Sequence, residues 1–254
     1  MAGSRHWKFS APLFVLTGTL FLGSSIAYSQ ALALPEARPA TPDPAIRNVI
    51  IVGFVGGFVR HDDTKHAEVQ FAAHLRERYR SAIDVEVFGN HSGNQALRYV
   101  LRRTATQRAP KIIIFGHSWG ATETISLARE LERRGIPVRL TIQVDSIGKP
   151  GQDNVTVPSN VAKAINFYQS TGLLHGRSTI VAKDPSRTDI LGNFEMSYKN
   201  HPIDCDDFPW YARMFTKPHI EIENDPRVWA EAASLIDSEL SDGRSTAPSI
   251  IASR

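Results

Sequence analysis

Cysteine is nearly absent from this chain, since Cys205 is the only one among 254 residues. A single thiol excludes an internal disulfide, and no cysteine follows the apolar amino-terminal stretch where lipid attachment would require one. Two phosphate-binding patterns are also missing, because the chain contains neither Gly-Lys-Ser/Thr nor Gly-x-Gly-x-x-Gly. These absences argue against a disulfide scaffold, a lipoprotein anchor and a nucleotide-binding loop.

The chain also carries little net charge. The formal net charge is +3, and it falls to about +1 when Arg5 and Lys8 of the amino-terminal leader are set aside. A nearly neutral domain provides no electrostatic attraction for nucleic acid. We therefore expect no nucleic-acid partner.

Metal-binding spacings are lacking as well. His61, Asp62, Asp63 and His66 are close in sequence, but helix capping and a solvated helix face explain them better than zinc, and no His-x-x-x-His pattern accompanies them. The acidic residues around Cys205 lack the glycine and the spacing of a calcium loop. We expect no metal and no other cofactor.

The amino terminus has the pattern of a secretory signal. Arg5 and Lys8 precede an apolar stretch over residues 11–27, and small residues follow it. We expect a cleaved signal peptide over residues 1–33, and hence a secreted or periplasmic protein without a membrane span in the mature chain. An uncleaved anchor is the alternative, although the stretch is short and interrupted for a span of about 20 residues.

The rest of the chain is organised as one domain. A proline-rich linker is expected at residues 34–45, a domain at 46–237 and a flexible tail at 238–254. Apolar strand-like runs alternate with helical patterns, which predicts an α/β fold: a mostly parallel sheet with helices on both faces. Strands are expected at 49–52, 83–88, 111–115, 138–144 and 178–182, helices near 65–79, 94–101, 121–134, 161–168 and 226–236, and a loop region at 188–217.

The most informative motif is Gly-His-Ser-Trp-Gly over residues 116–120. An apolar strand precedes it directly and a helical pattern follows it, which is the context of a nucleophile elbow centred on Ser118. Small residues two positions before and after the serine relieve collisions at so sharp a turn. The amide of Trp119 and the amino terminus of the following helix would face a developing negative charge.

With this elbow, the sequence resembles the α/β-hydrolase superfamily, and within it lipase- and esterase-like members. The resemblance implies a chain order of nucleophile, acid and histidine, and an oxyanion loop after an earlier strand. The strand at 49–52 and its glycine-rich exit correspond to that loop. Phe54 is the residue expected to donate its amide together with Trp119, and Val55 is the alternative register.

The histidine implied by this order is His219, in Lys-Pro-His-Ile-Glu-Ile just before the last helical pattern. The family places its histidine in a loop between the last strand and the last helix. His201 is the alternative. His117, inside the elbow, could touch the surroundings of the nucleophile without being the base.

The acid that orients this histidine is expected to be Asp145, at the end of the strand after the nucleophile helix. Asp184, one strand later, is the alternative that more family members use, although Asp-Pro-Ser also has the pattern of an ordinary turn. Asp189 lies further into the loop region and is a weaker candidate.

The sequence therefore predicts a secreted serine hydrolase of carboxylic esters or thioesters that acts on a small-molecule or lipid acyl ester. Two alternatives stay open: an acyltransferase on the same scaffold, and a non-enzymatic binding protein with a hydrolase fold. An apolar-aromatic cluster before His219, formed by Phe208, Trp210, Tyr211, Met214 and Phe215, could line an acyl pocket or belong to the core.

Overall fold

The computed structural model describes residues 48–107 and 109–241. The predicted signal peptide and proline-rich linker lie outside these residues, as does the chain from residue 242 onward. Among the described residues, no helix is both long enough and apolar enough to cross a bilayer.

The centre of the domain is a six-stranded sheet in which every pairing is parallel. Its strands are β1 Val49–Phe54, β2 Ile83–Phe88, β3 Lys111–His117, β4 Val138–Val144, β6 Val161–Tyr168 and β8 Asp189–Glu195, and they follow the spatial order β2-β1-β3-β4-β6-β8. Strands β5 Thr156–Val157 and β7 Val181–Ala182 form a separate parallel pair. The fold class predicted from the sequence is confirmed.

Helices cover both faces of the sheet. They are α1 Ala67–Tyr79, α2 Gly93–Thr106, α3 Trp119–Glu132, α4 Trp210–Glu223 and α5 Pro226–Leu240. One core packs α1 and α5 against one face, and Phe71 and Trp229 meet there at 5.0 Å between ring centroids. A second core packs α2 and α3 against the other face. Each fully buried large side chain contributes about 1.5–3 kcal/mol of transfer free energy.

Strand β3 lies in the middle of the sheet, and its continuous apolar sequence fits that position. Residues 112–117 are all buried, because β1 and β4 flank the strand and helices cover both of its faces. In a parallel sheet the carboxyl ends of all strands meet at one edge. The residues that follow β1, β3, β4 and β6 therefore gather around the end of β3, which is where ligands bind in open α/β sheets.

The structure differs in several places from the secondary structure that the sequence predicted. Residues 161–168, expected as a helix, form strand β6, because their apolar positions face both layers of helices and the buried Asn166 bonds to Asn193 across the sheet. Of the strand expected at 178–182, only Val181–Ala182 is extended, and it pairs with Thr156–Val157 outside the main sheet.

The region expected as a loop at 188–217 contains regular structure. Strand β8 forms an edge of the main sheet there, and its residues are half-buried or exposed, whereas those of the central strands are almost all buried. The first half of α4 follows. The flexible tail was expected to begin at residue 238, but helix α5 continues to Leu240, which is buried.

Candidate active site

Ser118 stands on a sharp turn between β3 and α3. Its backbone angles, φ 57° and ψ −125°, lie in a region that costs a non-glycine residue about 1–3 kcal/mol. The flanking glycines make this turn possible. A Cβ atom on Gly116 would lie 2.5 Å from the carbonyl oxygen of Gly120, and one on Gly120 would collide with the carbonyl of Phe54. The motif therefore forms the elbow that its sequence predicted.

The elbow is attached to the next strand by two backbone hydrogen bonds. The amide of Ser118 donates to the carbonyl of Val144 over 2.9 Å, and the amide of Ile147 donates to the carbonyl of Ser118 over 3.2 Å. Trp119 is the first residue of α3, so its amide lies at the positive end of the helix dipole. This geometry points the partial positive charge of the helix amino terminus toward the surroundings of Ser118.

Asp145 directly follows β4 and is fully buried, with φ 44°. Its carboxylate has four polar partners. Oδ1 receives the amides of Gly176 at 2.7 Å and of Gln169 at 3.3 Å, whereas Oδ2 receives the side-chain nitrogen of Gln169 at 2.9 Å. Oδ2 also lies 2.6 Å from Nδ1 of His219. Such a set of donors holds the carboxylate ionised and in one orientation.

His219 lies within helix α4, not in the loop that the family resemblance implied. The helix is kinked at Thr216, whose φ of −129° is not helical, and Pro218 follows within the helix. Proline interrupts helical hydrogen bonding, so the second half of α4 turns in a new direction. His219 is 7% exposed, and its ring lies 4.5 Å from that of His117, the neighbour of Ser118.

The charges and burial around His219 and Asp145 favour a neutral imidazole on His219. Burial and, after it, the positive charge of His117 lower the pKa of His219, although the contact with Asp145 acts in the opposite direction. Burial opposes ionisation of Asp145, but its bond to His219 and the Gln169 donor outweigh that effect and lower its pKa. A neutral histidine beside an ionised carboxylate is the state that a general base requires.

The alternatives from the sequence lie elsewhere. Asp184 closes a surface turn, where its Oδ1 accepts the amide and the hydroxyl of Ser186 at 3.0 and 2.7 Å. Asp189 is the exposed first residue of β8, and His201 is exposed in the loop before α4. The structure therefore brings His219 to Asp145, and neither alternative acid is in this arrangement.

Phe54 and Val55, the two candidates for an oxyanion donor after β1, both belong to the hydrogen-bonded end of the sheet. Phe54 pairs with strands on both of its sides, opposite Phe88 and Gly116. Val55, the alternative donor from the sequence, donates its amide to the carbonyl of Phe88 over 3.1 Å. Gly56 is the residue of this loop that lies beside Ser118, because a Cβ atom there would lie 3.4 Å from Cβ of Ser118.

The next residue of this loop approaches the elbow even more tightly. A Cβ atom on Gly57 would lie 2.7 Å from the indole of Trp119, so only glycine fits. The amide of Gly56 is already donated to Oε1 of Glu68. Gly57 therefore carries the first amide of the loop that is not engaged by the sheet or by Glu68.

The apolar-aromatic cluster before His219 is not part of the core. Most of its side chains are exposed, and Phe208 stacks edge-on against His66 at 5.8 Å. These residues lie in and just before the first half of α4, before the kink at Thr216, whereas the buried residues of the helix follow the kink. The exposed members are Trp210 at 66%, Tyr211 at 60%, Met214 at 60% and Phe215 at 56%.

Several site residues escaped the sequence analysis. Gln169 and Gly176 support Asp145 but belong to no motif. Glu68 gave a signal that could have been used, because it lies on the apolar face of α1, one turn before Phe71 and Ala72, and it is fully buried. Glu223 alternates with isoleucines at the end of α4 and resembles part of a strand in sequence.

His66, Glu68 and Glu223 are the described residues whose ligand atoms come close enough to hold a metal ion, all within 4.8 Å of one another. Three ligand atoms of this group already have partners. Nδ1 of His66 lies 2.6 Å from Oε1 of Glu223, and Oε1 of Glu68 accepts the amide of Gly56 at 3.2 Å. We therefore treat the group as an ion-pair network.

No protein-family model and no curated protein sequence matches the chain. Among solved structures, it is similar to a cutinase-like protein from Cryptococcus sp. at 13% identity and a TM-score of 0.47, with 80% of this chain and 100% of that chain covered. The RedJ thioesterase of the prodiginine pathway in Streptomyces coelicolor aligns at 13% identity and a TM-score of 0.38, with coverage of 78% and 98%. An acetyl xylan esterase aligns at 10% identity and a TM-score of 0.37, with coverage of 76% and 99%. At these values none of their activities transfers to this chain.

Proposed function

We propose that the protein is a serine hydrolase of carboxylic esters or thioesters, with Ser118 as nucleophile, His219 as base and Asp145 as the acid that orients the base. The observation that carries the proposal is the contact between His219 and Asp145 at 2.6 Å. It supplies the orienting half of a triad at the same end of the sheet as an independently recognisable nucleophile elbow.

In this mechanism Nε2 of His219 takes the hydroxyl proton of Ser118 as Oγ forms a bond to the acyl carbon. The tetrahedral intermediate collapses, the bond to the leaving alcohol or thiol breaks, and His219 gives the proton to the leaving group. Water then attacks the acyl-enzyme by the same proton transfers and releases the acid. Asp145 stays ionised throughout and stabilises the imidazolium that forms twice.

The oxyanion would be held by backbone amides. Trp119 supplies one amide from the amino terminus of α3, in accordance with the sequence expectation. For the second donor we favour Gly57 over Phe54, because Phe54 is paired within the sheet and the amides of Val55 and Gly56 have partners. Each such donor contributes about 2.7–4 kcal/mol to transition-state stabilisation in comparable sites.

The test is covalent labelling with a fluorophosphonate probe combined with hydrolysis of p-nitrophenyl acetate. Wild type is expected to react with the probe, and Ser118→Ala to lose both labelling and at least about 10³-fold of kcat/KM. Ser126→Ala is the matched control, because this serine lies on helix α3 two turns after the elbow and donates its hydroxyl to the carbonyl of Thr122. It should retain both activities. Full hydrolysis by Ser118→Ala would refute the proposal.

Two other outcomes would identify the alternative functions. Acyl transfer would yield an acylated acceptor alcohol or amine in preference to free acid when acceptors are supplied. Failure of correctly folded wild type to react with the probe would favour a binding protein instead.

We also propose that the domain acts outside the cytoplasm, on the strength of the signal-like residues 1–33. Mass spectrometry of the protein, after expression of the full chain in a bacterium, shows where the mature amino terminus begins and tests this point. Retention of residue 1 in an untranslocated protein would contradict it.

A further inference from the structure

Beside the proposed triad lies a buried cluster formed by Glu68, His117 and Glu223, here called the buried acid–histidine cluster. Its members come from α1, the end of β3 and the end of α4, and none is more than 4% exposed. Nδ1 of His117 lies 3.5 Å from Oε1 of Glu68 and 3.7 Å from Oε2 of Glu223. One imidazole thus faces two carboxylates.

The charges of this cluster constrain His117. Ionised carboxylates are costly to bury unless a positive charge accompanies them. Among the described residues, the ion pairs of Glu68 and Glu223 involve only histidines, and His66 is the second partner of Glu223. Burial opposes a charge on His117, but the contact with Glu68 and the charge of Glu223 outweigh it and raise the pKa of His117 to about 9.

The same cluster holds the loop beside the nucleophile. Oε1 of Glu68 accepts the amide of Gly56 at 3.2 Å, and the carbonyl of Gly56 accepts the side chain of Asn90 at 2.5 Å. A Cβ atom on Gly56 would lie 3.5 Å from Nδ1 of His117. Glu68 therefore connects His117 to the loop that runs past Ser118.

His117 also contacts the proposed base. The rings of His117 and His219 lie 4.5 Å apart and are tilted by 33°. The charged groups that act on His219 are Asp145 from β4, His117 from β3 and Glu223 one turn later on its own helix. Glu68 acts on His117 from α1. Of these neighbours, only His117 brings a positive charge to the ring of His219.

We infer that His117 is a positioning residue of the active site, which Glu68 and Glu223 hold as an imidazolium against the ring of His219, so that the base stays neutral in mildly acidic solution. The inference rests on the proposed function of Ser118, His219 and Asp145. It assigns the histidine of the elbow motif a role of its own: the residue touches no reacting atom and acts through the base. Hydrolysis should therefore continue at pH values where an ordinary histidine is protonated.

The first experiment measures kcat/KM for p-nitrophenyl acetate between pH 4.5 and 8. His117→Asn retains a side-chain nitrogen near Glu68 but removes the positive charge. The fall of kcat/KM on the acidic side of the pH profile, here called the acid limb, should lie about one pH unit higher in His117→Asn than in wild type. His74→Asn, the same replacement on the far side of α1, is the matched control and should keep the wild-type limb. Coincident limbs for wild type and His117→Asn would overturn the inference.

The second experiment does not depend on activity or on the stability of His117→Asn. Nitrogen-15 NMR of the histidine rings of Ser118→Ala at pH 7 should show both nitrogens of His117 protonated and His219 neutral. A neutral His117 at that pH would overturn the inference. The proposed function can fail separately, because it is decided by fluorophosphonate labelling of wild type.

Discussion

Nδ1 of His219 lies 2.6 Å from Oδ2 of Asp145, although 74 residues separate them in the chain. Asp145 directly follows the central strand β4, whereas His219 follows a helix kink near the carboxyl terminus of the domain. In the proposed mechanism the two residues have distinct roles, which substitutions can separate.

The first prediction concerns the acid. Asp145→Asn should lower kcat for p-nitrophenyl acetate by about 10³–10⁴-fold, because the amide would favour the wrong tautomer of His219 and would not stabilise its charged form. Asp184→Asn at the surface turn is the matched control and should retain wild-type kcat. Equal losses in the two variants, or a loss only at residue 184, would contradict the assignment.

A second prediction concerns the support of the acid. Gln169→Ala removes the donor that lies 2.9 Å from Oδ2 of Asp145 and leaves a buried carboxylate less satisfied. We expect kcat/KM to fall by about 10–100-fold, with KM changed little. Gln152→Ala, at a part-buried contact with Glu123, provides the comparison. An unchanged kcat/KM in Gln169→Ala would show that the backbone amides hold Asp145 sufficiently on their own.

The elbow provides a third prediction. Gly116→Ala places a Cβ atom 2.5 Å from the backbone of Gly120, which cannot move without displacing α3. We expect the free energy of unfolding to fall by about 1–3 kcal/mol, measured by urea denaturation. Gly89→Ala is the control, since its Cβ would meet only the hydroxyl of Ser92 at 3.5 Å. Equal stabilities of the two variants would argue against the strained turn.

The fourth prediction concerns pH and stability. The folded-state pKa of His117 is about 9, above the unfolded value of about 6.5. Its stabilising contribution is therefore complete below pH 6.5 and is lost as the pH rises from 6.5 toward 9, by an amount on the order of a few kcal/mol.

Urea unfolding at pH 6 and pH 9.5 measures this loss. Wild type should lose stability over that interval, and His117→Asn should lose less. The free energy of unfolding of His201→Asn, at an exposed loop position, should follow that of wild type. A wild-type stability that stays constant across the interval would contradict the prediction.

A fifth prediction concerns the exposed apolar residues of α4. Met214→Ser and Phe215→Ser should leave the melting temperature within about 1–2 °C, because both side chains are more than half exposed. If this surface contacts the acyl chain, kcat/KM for p-nitrophenyl octanoate should fall several-fold relative to the acetate ester. Val181→Ser, an exposed apolar position in β7, should leave that ratio unchanged. A constant ratio in all three variants would exclude acyl contact here.

Local sequence determined much of the fold. The runs at 49–52, 83–88, 111–115 and 138–144 are strands because continuous or alternating apolar residues suit the inner positions of a covered sheet. Strand β6 escaped this reasoning, since Ala164, Ile165 and Phe167 fit a helical repeat as well as a strand buried on both faces. Only its neighbours β4 and β8 decide between the two.

For the site, the sequence by itself determined the elbow at Ser118, because a strand, two required glycines and a helix are adjacent in the chain. The chain order implied by the family resemblance pointed to His219, and tertiary structure decided the rest. Asp145 and Asp184 each end a strand-like run, and the choice between them became visible only when the sheet brought Asp145 to His219. The buried Glu68 and Glu223 gained their significance in the same way. Hydrogen bonds and ion pairs between distant segments depend on how the strands are ordered in space, and no local pattern encodes that order.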